Sequence, residues 1–173
     1  MKDKSLKLEG VYKDIIRYSD GRVEETDWSH NLIVNSALNI LTALLGNTNG
    51  YKGIQYWAVG SGLASWDTTM PNPNSNAVAL TSEIGRKVIN SSNIRFLTET
   101  GEPSNTPTNK IEVSCFFEAN DCIGVWREFG LFGGNATSAP NSGILIDKKH
   151  HQIINKTNDM TVERTIVFTL NLV

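Results

Sequence analysis

The chain has 173 residues, of which 39% are hydrophobic and 20% charged, with a formal net charge of -2; this excludes the disordered class and a polyanion-binding surface carried by bulk charge. A domain of roughly 150 residues buries about 70% of the surface its unfolded chain exposes. A single domain over 1–173 is therefore expected, with 1–30 as an N-terminal hairpin or assembly arm and 31–173 as helix plus β-sandwich. The N-terminus "MKDKSLKLEG" has no apolar stretch of signal-peptide length, and no window approaches the ~20 apolar residues of a membrane span, so synthesis in a cytosol without membrane contact is expected.

In chain order, the segment 6–28 reads as two period-2 runs around Asp20-Gly21, the signature of a hairpin with a two-residue turn. Such an extended ribbon suits edge-to-edge pairing with another chain. The stretch "NSALNILTALLGN" is the one helix pattern: Asn35 or Ser36 caps it, Ala37, Leu38, Leu41, Leu44 and Leu45 share a face, and Gly46 supplies a left-handed stop. Its other side carries Asn39 and Thr42 instead of charges, which places it against a sheet or a neighbouring subunit.

From Gly50 on, strands are expected over 54–62, 80–89, 94–99, 109–119, 124–133, 143–151 and 161–173, separated by turn-rich segments. That is the pattern of an antiparallel β-sandwich or barrel and not of βαβ units. The connections 63–79 and 100–109 are long and polar, and loops of that kind in a compact domain are usually contact-making or mobile.

Chemistry finds little purchase. "VGSG" is followed by neither a P-loop Lys nor a helix, so nucleotide binding is unsupported, and its glycines read as tight backbone geometry. His150 and His151 are adjacent on a strand and point to opposite faces, which rules against one ion held by both. The cluster Lys148 to His151 reads as a solvated strand edge, and with the other basic residues scattered among acids no nucleic-acid partner is expected. Cys115 and Cys122 form no C-x-x-C pair and read as idle thiols. No G-x-S-x-G elbow appears. No catalytic residue, cofactor or metal is therefore nominated. Trp57 and Trp126 lie in strands and belong to a core, whereas Trp66 lies in a loop beside Asn72, Asn74 and Asn76, a combination that fits the face and hydroxyls of a sugar.

The order of short motifs adds a further signal. "WSHNLIVNSALNILTALLG", "YWAVGSG", a Pro/Asn loop, "ALTSEIGRKVI", "FFEANDCIGVWREFGLFGG" and a closing strand pair ending "TVERTIVFTL" follow one another. Over about 28–170 this resembles small structural modules of tail-fibre, baseplate and collar appendages of tailed bacteriophages. The resemblance implies a non-enzymatic virion structural protein, a homo-oligomer such as a trimer, with other tail or neck proteins as partners. The alternative is a stand-alone carbohydrate-binding sandwich that recognises a bacterial surface glycan. Long fibre proteins continue from such a module into a shaft and a receptor-binding tip; here the sequence ends at Val173 while still reading as strand, which favours an adaptor.

Glu83, Arg86, Glu128 and Arg164 are ionisable residues in otherwise apolar strands, so each needs a partner on burial. Glu128 is expected to pair with Arg86 or Arg164, or to accept backbone amides of a neighbouring turn. Strict alternation along "IGVWREFGLFGG" sets Val125, Arg127, Phe129 and Leu131 on one face and Trp126, Glu128 and Phe132 on the other.

Overall fold

The computed structural model describes residues 4–173; the first part of the expected arm lies outside the described residues. In chain order the strands are β1 (Leu6–Tyr18), β2 (Val23–Glu25), β3 (Ser29–His30), β4 (Leu32–Ile33), β5 (Lys52–Gly60), β6 (Glu83–Val88), β7 (Ile94–Leu97), β8 (Pro103–Ser104), β9 (Lys110–Phe117), β10 (Gly124–Gly134), β11 (Ile144–Lys156) and β12 (Met160–Leu172). One helix, α1 (Ala37–Leu45), and two short 3-10 turns complete the set. The chain is thus mainly β, an antiparallel sandwich with an N-terminal hairpin and one short α-helix, as its patterning implies.

The first sheet runs β2-β1-β12-β9-β7-β8, with β3 also on β1; the second runs β4-β11-β10-β5-β6. β1 and β12 pair without a break from Leu6↔Leu172 to Tyr18↔Met160, so β1 is built into the sheet along its whole length. Alternation turns Tyr12 and Ile16 of β1, Val113 and Phe117 of β9, and Val162, Ile166 and Phe168 of β12 toward the second sheet, where they meet Trp57, Val59, Trp126, Phe129 and Leu131. A smaller cluster of Val34, Ala58, Leu80, Phe132 and Leu145 lies apart from this core, where the long segment 61–82 returns to the second sheet. That segment is an ordered cover rather than a free connection.

Four local expectations are corrected. The hairpin turn is three residues long: Tyr18 N–H donates to Arg22 O, Gly21 N–H to Tyr18 O, and only Gly21 takes positive φ (91°), because Asp20 stays right-handed. The helix is stopped by Asn47 at φ 51°, while Gly46 keeps φ -81°. Its buried face is Ala37 and Ile40, leaving Leu38, Leu44 and Leu45 51%, 43% and 84% exposed. Along β10, register shifts beside Arg127 carry Trp126 to the same core as Phe129 and Leu131, so strict alternation fails there.

Candidate functional site

The four ionisable strand residues form three separate centres, and Glu128 meets neither Arg86 nor Arg164. It is fully buried and faces away from the core, where its two oxygens accept the backbone N–H groups of Ser82 (2.8 Å) and Thr81 (3.0 Å). The expectation of a backbone-amide acceptor is met. Lys148 Nζ adds an ion pair at 3.0 Å and also donates to Ala79 O and Thr81 Oγ1. β6 begins at Glu83 and not at residue 80 for this reason: the amides of Thr81 and Ser82 serve the carboxylate instead of a neighbouring strand. Gly60 makes the approach feasible, since a Cβ there would lie 2.7 Å from Glu128 Oε1.

His150 and Lys148, read as a solvated edge, are 7% and 5% exposed. They are covered because β11 lies between β10 and β4 and the segment 61–82 crosses over it. His150 Nδ1 donates to Pro71 O (2.8 Å), and its ring stacks on Trp66 with centroids 4.0 Å apart. Burial lowers its pKa, so the ring is kept neutral. Trp66 is therefore 9% exposed and buried against His150, not offered to a ligand. Arg127 fixes the same turn with a two-pronged pair to Asp67 and a donation to Ser61 O. Asn72, Asn74 and Asn76 are exposed; Asn74 Oδ1 accepts Asn76 N–H, and Asn76 Oδ1 accepts the amide of Asn35. They shape the loop and tie it to the start of α1.

Arg86 pairs with Glu83 through Nε–Oε1 (2.6 Å) and Nη2–Oε2 (2.8 Å) and extends Nη1 to the carbonyls of Thr137 and Ser142. Glu83 also accepts Asn141 N–H. This second centre pins the loop 135–143.

Arg164 lies inside the sandwich. Directly opposite it in register stands Asp14, and two 2.6 Å bonds, Nε to Oδ1 and Nη2 to Oδ2, join them. The guanidinium carbon is 4.4 Å from the Phe129 ring centroid and 5.7 Å from that of Trp126. His151, on the core side as strand geometry requires for the neighbour of His150, points Nε2 at Arg164 Nη2 (3.5 Å) and donates Nδ1–H to Gln152 O. Burial, with Arg164 second, lowers its pKa to about 3. Asp147, fully buried, accepts Leu131 N–H (2.8 Å) and the Asn31 amide (2.5 Å); burial raises its pKa to about 7.

These groups are largely engaged by one another, and among their polar atoms His150 Nε2, Arg164 Nη1 and Asn31 Oδ1 are buried without a hydrogen-bond partner. The carboxylate of Asp14 is committed to Arg164, the lone pair of His151 faces a cation, and burial raises the thiols of Cys115 and Cys122 to about 12 and about 11, well away from reactive thiolate. Among the described residues no three His, Cys, Asp or Glu side chains are placed to hold a metal ion. Sequence reasoning placed Asp14 on a wet ribbon and Lys148 and His151 on a solvated strand edge, whereas all three are buried and, with Asp147, complete the charge centres.

The open feature of another kind is an apolar cavity of about 300 Å³ at one end of the sandwich, where Ile33, Ile54, Ile94, Ile111 and Phe168 of the two sheets come near Leu41 and Leu44 of α1. No family model matches this chain, and no curated protein is similar to it.

Proposed function

We propose that this chain is a non-enzymatic structural protein of a tailed-phage virion, an adaptor or attachment component of the tail, baseplate or neck. It is made in the host cytoplasm, joins copies of itself symmetrically and contacts neighbouring virion proteins. The observation that carries the assembly half of the reading is the apolar end. Leu38, Leu44 and Leu45 of α1 stay exposed, and Leu44 lines a cavity walled almost wholly by aliphatic and aromatic side chains. Contiguous exposed apolar surface of this kind marks a site that another protein covers, and closed point-group symmetry is the rule for copies of one chain. A trimer is what the motif order implies.

The buried charge centres fit the same role. They pin two long loops and join β1 to β12 within the first sheet, which fixes surface shape for docking. Light scattering on the eluting protein tests the reading. A defined oligomer that falls to monomer in Leu44→Asp/Leu45→Asp, with unchanged circular dichroism, supports it; a strict monomer at high concentration overturns self-association.

A further inference from the structure

The glycan reading, built on Trp66, loses that residue to the interior. Another indole takes a position that Trp66 does not. Of the four tryptophans, Trp57 and Trp126 are fully buried, Trp66 is 9% exposed, and Trp28 is 50% exposed. Trp28 stands between β2 and β3 at one side of a depression of about 350 Å³ on the outer face of the first sheet.

The register explains the depression. Lys13, Thr165 and Ser114 lie in one row across β1, β12 and β9, and the two short hydroxyl side chains leave a floor lower than the rows beside it. Glu163 rises in the adjoining row, opposite Ile15. Glu112, paired with Arg95 of β7, rises on the far side. Trp28 closes one end and Asn93 the other. Strands are about 4.8 Å apart, so the floor from β1 to β9 spans roughly 10 Å, room for one or two pyranose rings.

The charges around it are already matched. Lys13 pairs with Glu25, Arg17 with Glu163, and Arg95 with Glu112. Lys13 Nζ also sits 5.8 Å from the Trp28 ring centroid, which holds the indole in place. A polar, charge-balanced trough with hydroxyl, amide and carboxylate groups along it and one broad apolar ring at its end suits a ligand that is uncharged, rich in hydroxyls and apolar on one face.

We infer that the trough between Trp28 and Asn93 binds a neutral glycan, with a sugar ring stacked on Trp28 and its hydroxyls bonded to Ser114, Thr165, Glu112 and Glu163. The site lies on the outer face of the first sheet, lined by none of the residues of the apolar end, so it stands or falls apart from the assembly reading.

The test is titration of the purified protein, followed by calorimetry and intrinsic fluorescence, with hexamers of β-1,4-glucose, α-1,4-glucose and β-1,4-N-acetylglucosamine, and with polygalacturonate as a charged comparison. Saturable binding of one neutral hexamer with a change in indole emission is expected. It should weaken at least about tenfold, equivalent to 1.4 kcal/mol, in Trp28→Ala and less in Trp28→Phe. Thr165→Arg, which fills the floor, should abolish it while leaving the thermal midpoint in place. No saturable binding by any neutral hexamer up to about 10 mM, equal binding by Trp28→Ala, or tighter binding of polygalacturonate each overturns the inference.

Discussion

Two buried carboxylates, Asp14 and Glu128, solve the cost of burial in different ways. Asp14 meets one rigid guanidinium in the middle of a hydrophobic core, strand against strand, and its partner is hemmed by aromatic rings. Glu128 meets two backbone amides and a flexible ammonium under a loop. The first joins secondary structure to itself and is all or nothing. The second fastens a cover, so its loss opens one segment and leaves the sandwich standing.

The largest effect is expected at the core pair. Arg164→Met strands a buried carboxylate and should lower unfolding free energy by about 3–5 kcal/mol in urea titration. Asp14→Leu combined with Arg164→Met should recover most of that loss, because both desolvation costs disappear together. A single variant within about 0.5 kcal/mol of wild type would show that the pair holds nothing.

Around the same pair, two titrations oppose each other. His151 stays neutral in the fold down to about 3, whereas the unfolded imidazole takes up a proton near 6.5; its contribution is present above 6.5 and lost as pH falls. Asp147 stays protonated in the fold up to about 7, whereas the unfolded carboxyl ionises near 3.9; its contribution is present below that value and lost as pH rises to 7. Each swing is on the order of 4 kcal/mol, and in wild type they largely cancel. Asp147→Asn should therefore make stability fall more steeply on acidification from pH 6.5, and His151→Gln should make it fall on raising pH from 4 to 7. Unfolding curves at a series of pH values decide, and two variants bending the same way would contradict the assignment.

The loop centre should give a smaller and more local response. Glu128→Gln removes the Lys148 pair but keeps an amide acceptor, so a loss of about 2 kcal/mol is expected. Hydrogen exchange at Thr81 and Ser82 should accelerate while the amides of β9 and β12 keep their protection. Uniform acceleration throughout would erase the distinction between cover and core. The smallest effect belongs to the exposed pair Arg17–Glu163, where Arg17→Ala should change stability by under about 0.5 kcal/mol.

These contrasts explain what was legible beforehand. Fold class, the strand-borne position of Trp57 and Trp126 in the core, and the opposite facing of His150 and His151 follow from local period-2 geometry, which acts over a few residues. Asp14 stayed hidden because β1 carries apolar residues on both faces, Val11 and Ile15 on one and Tyr12 and Ile16 on the other, and alternation alone does not say which is inward. The partner of Glu128 was foreseen only as one of three options, because a turn 46 residues earlier is brought to it by the fold. Trp66 was misplaced for the same reason: its stacking partner His150 lies on β11, and nothing near Trp66 in sequence announces it.

The pairing of the first long strand with the last has a consequence for how the molecule comes into being. Asp14 and Arg164 are 150 residues apart, so on the ribosome β1 emerges long before the strand it needs, and no local contact substitutes for it. Contacts of such separation make folding slow and leave strand edges open meanwhile. Segment 61–82 and α1 pack on the second sheet, which is complete once β11 is available, whereas the surfaces proposed for docking and for sugar both include β12 and come into existence only with it.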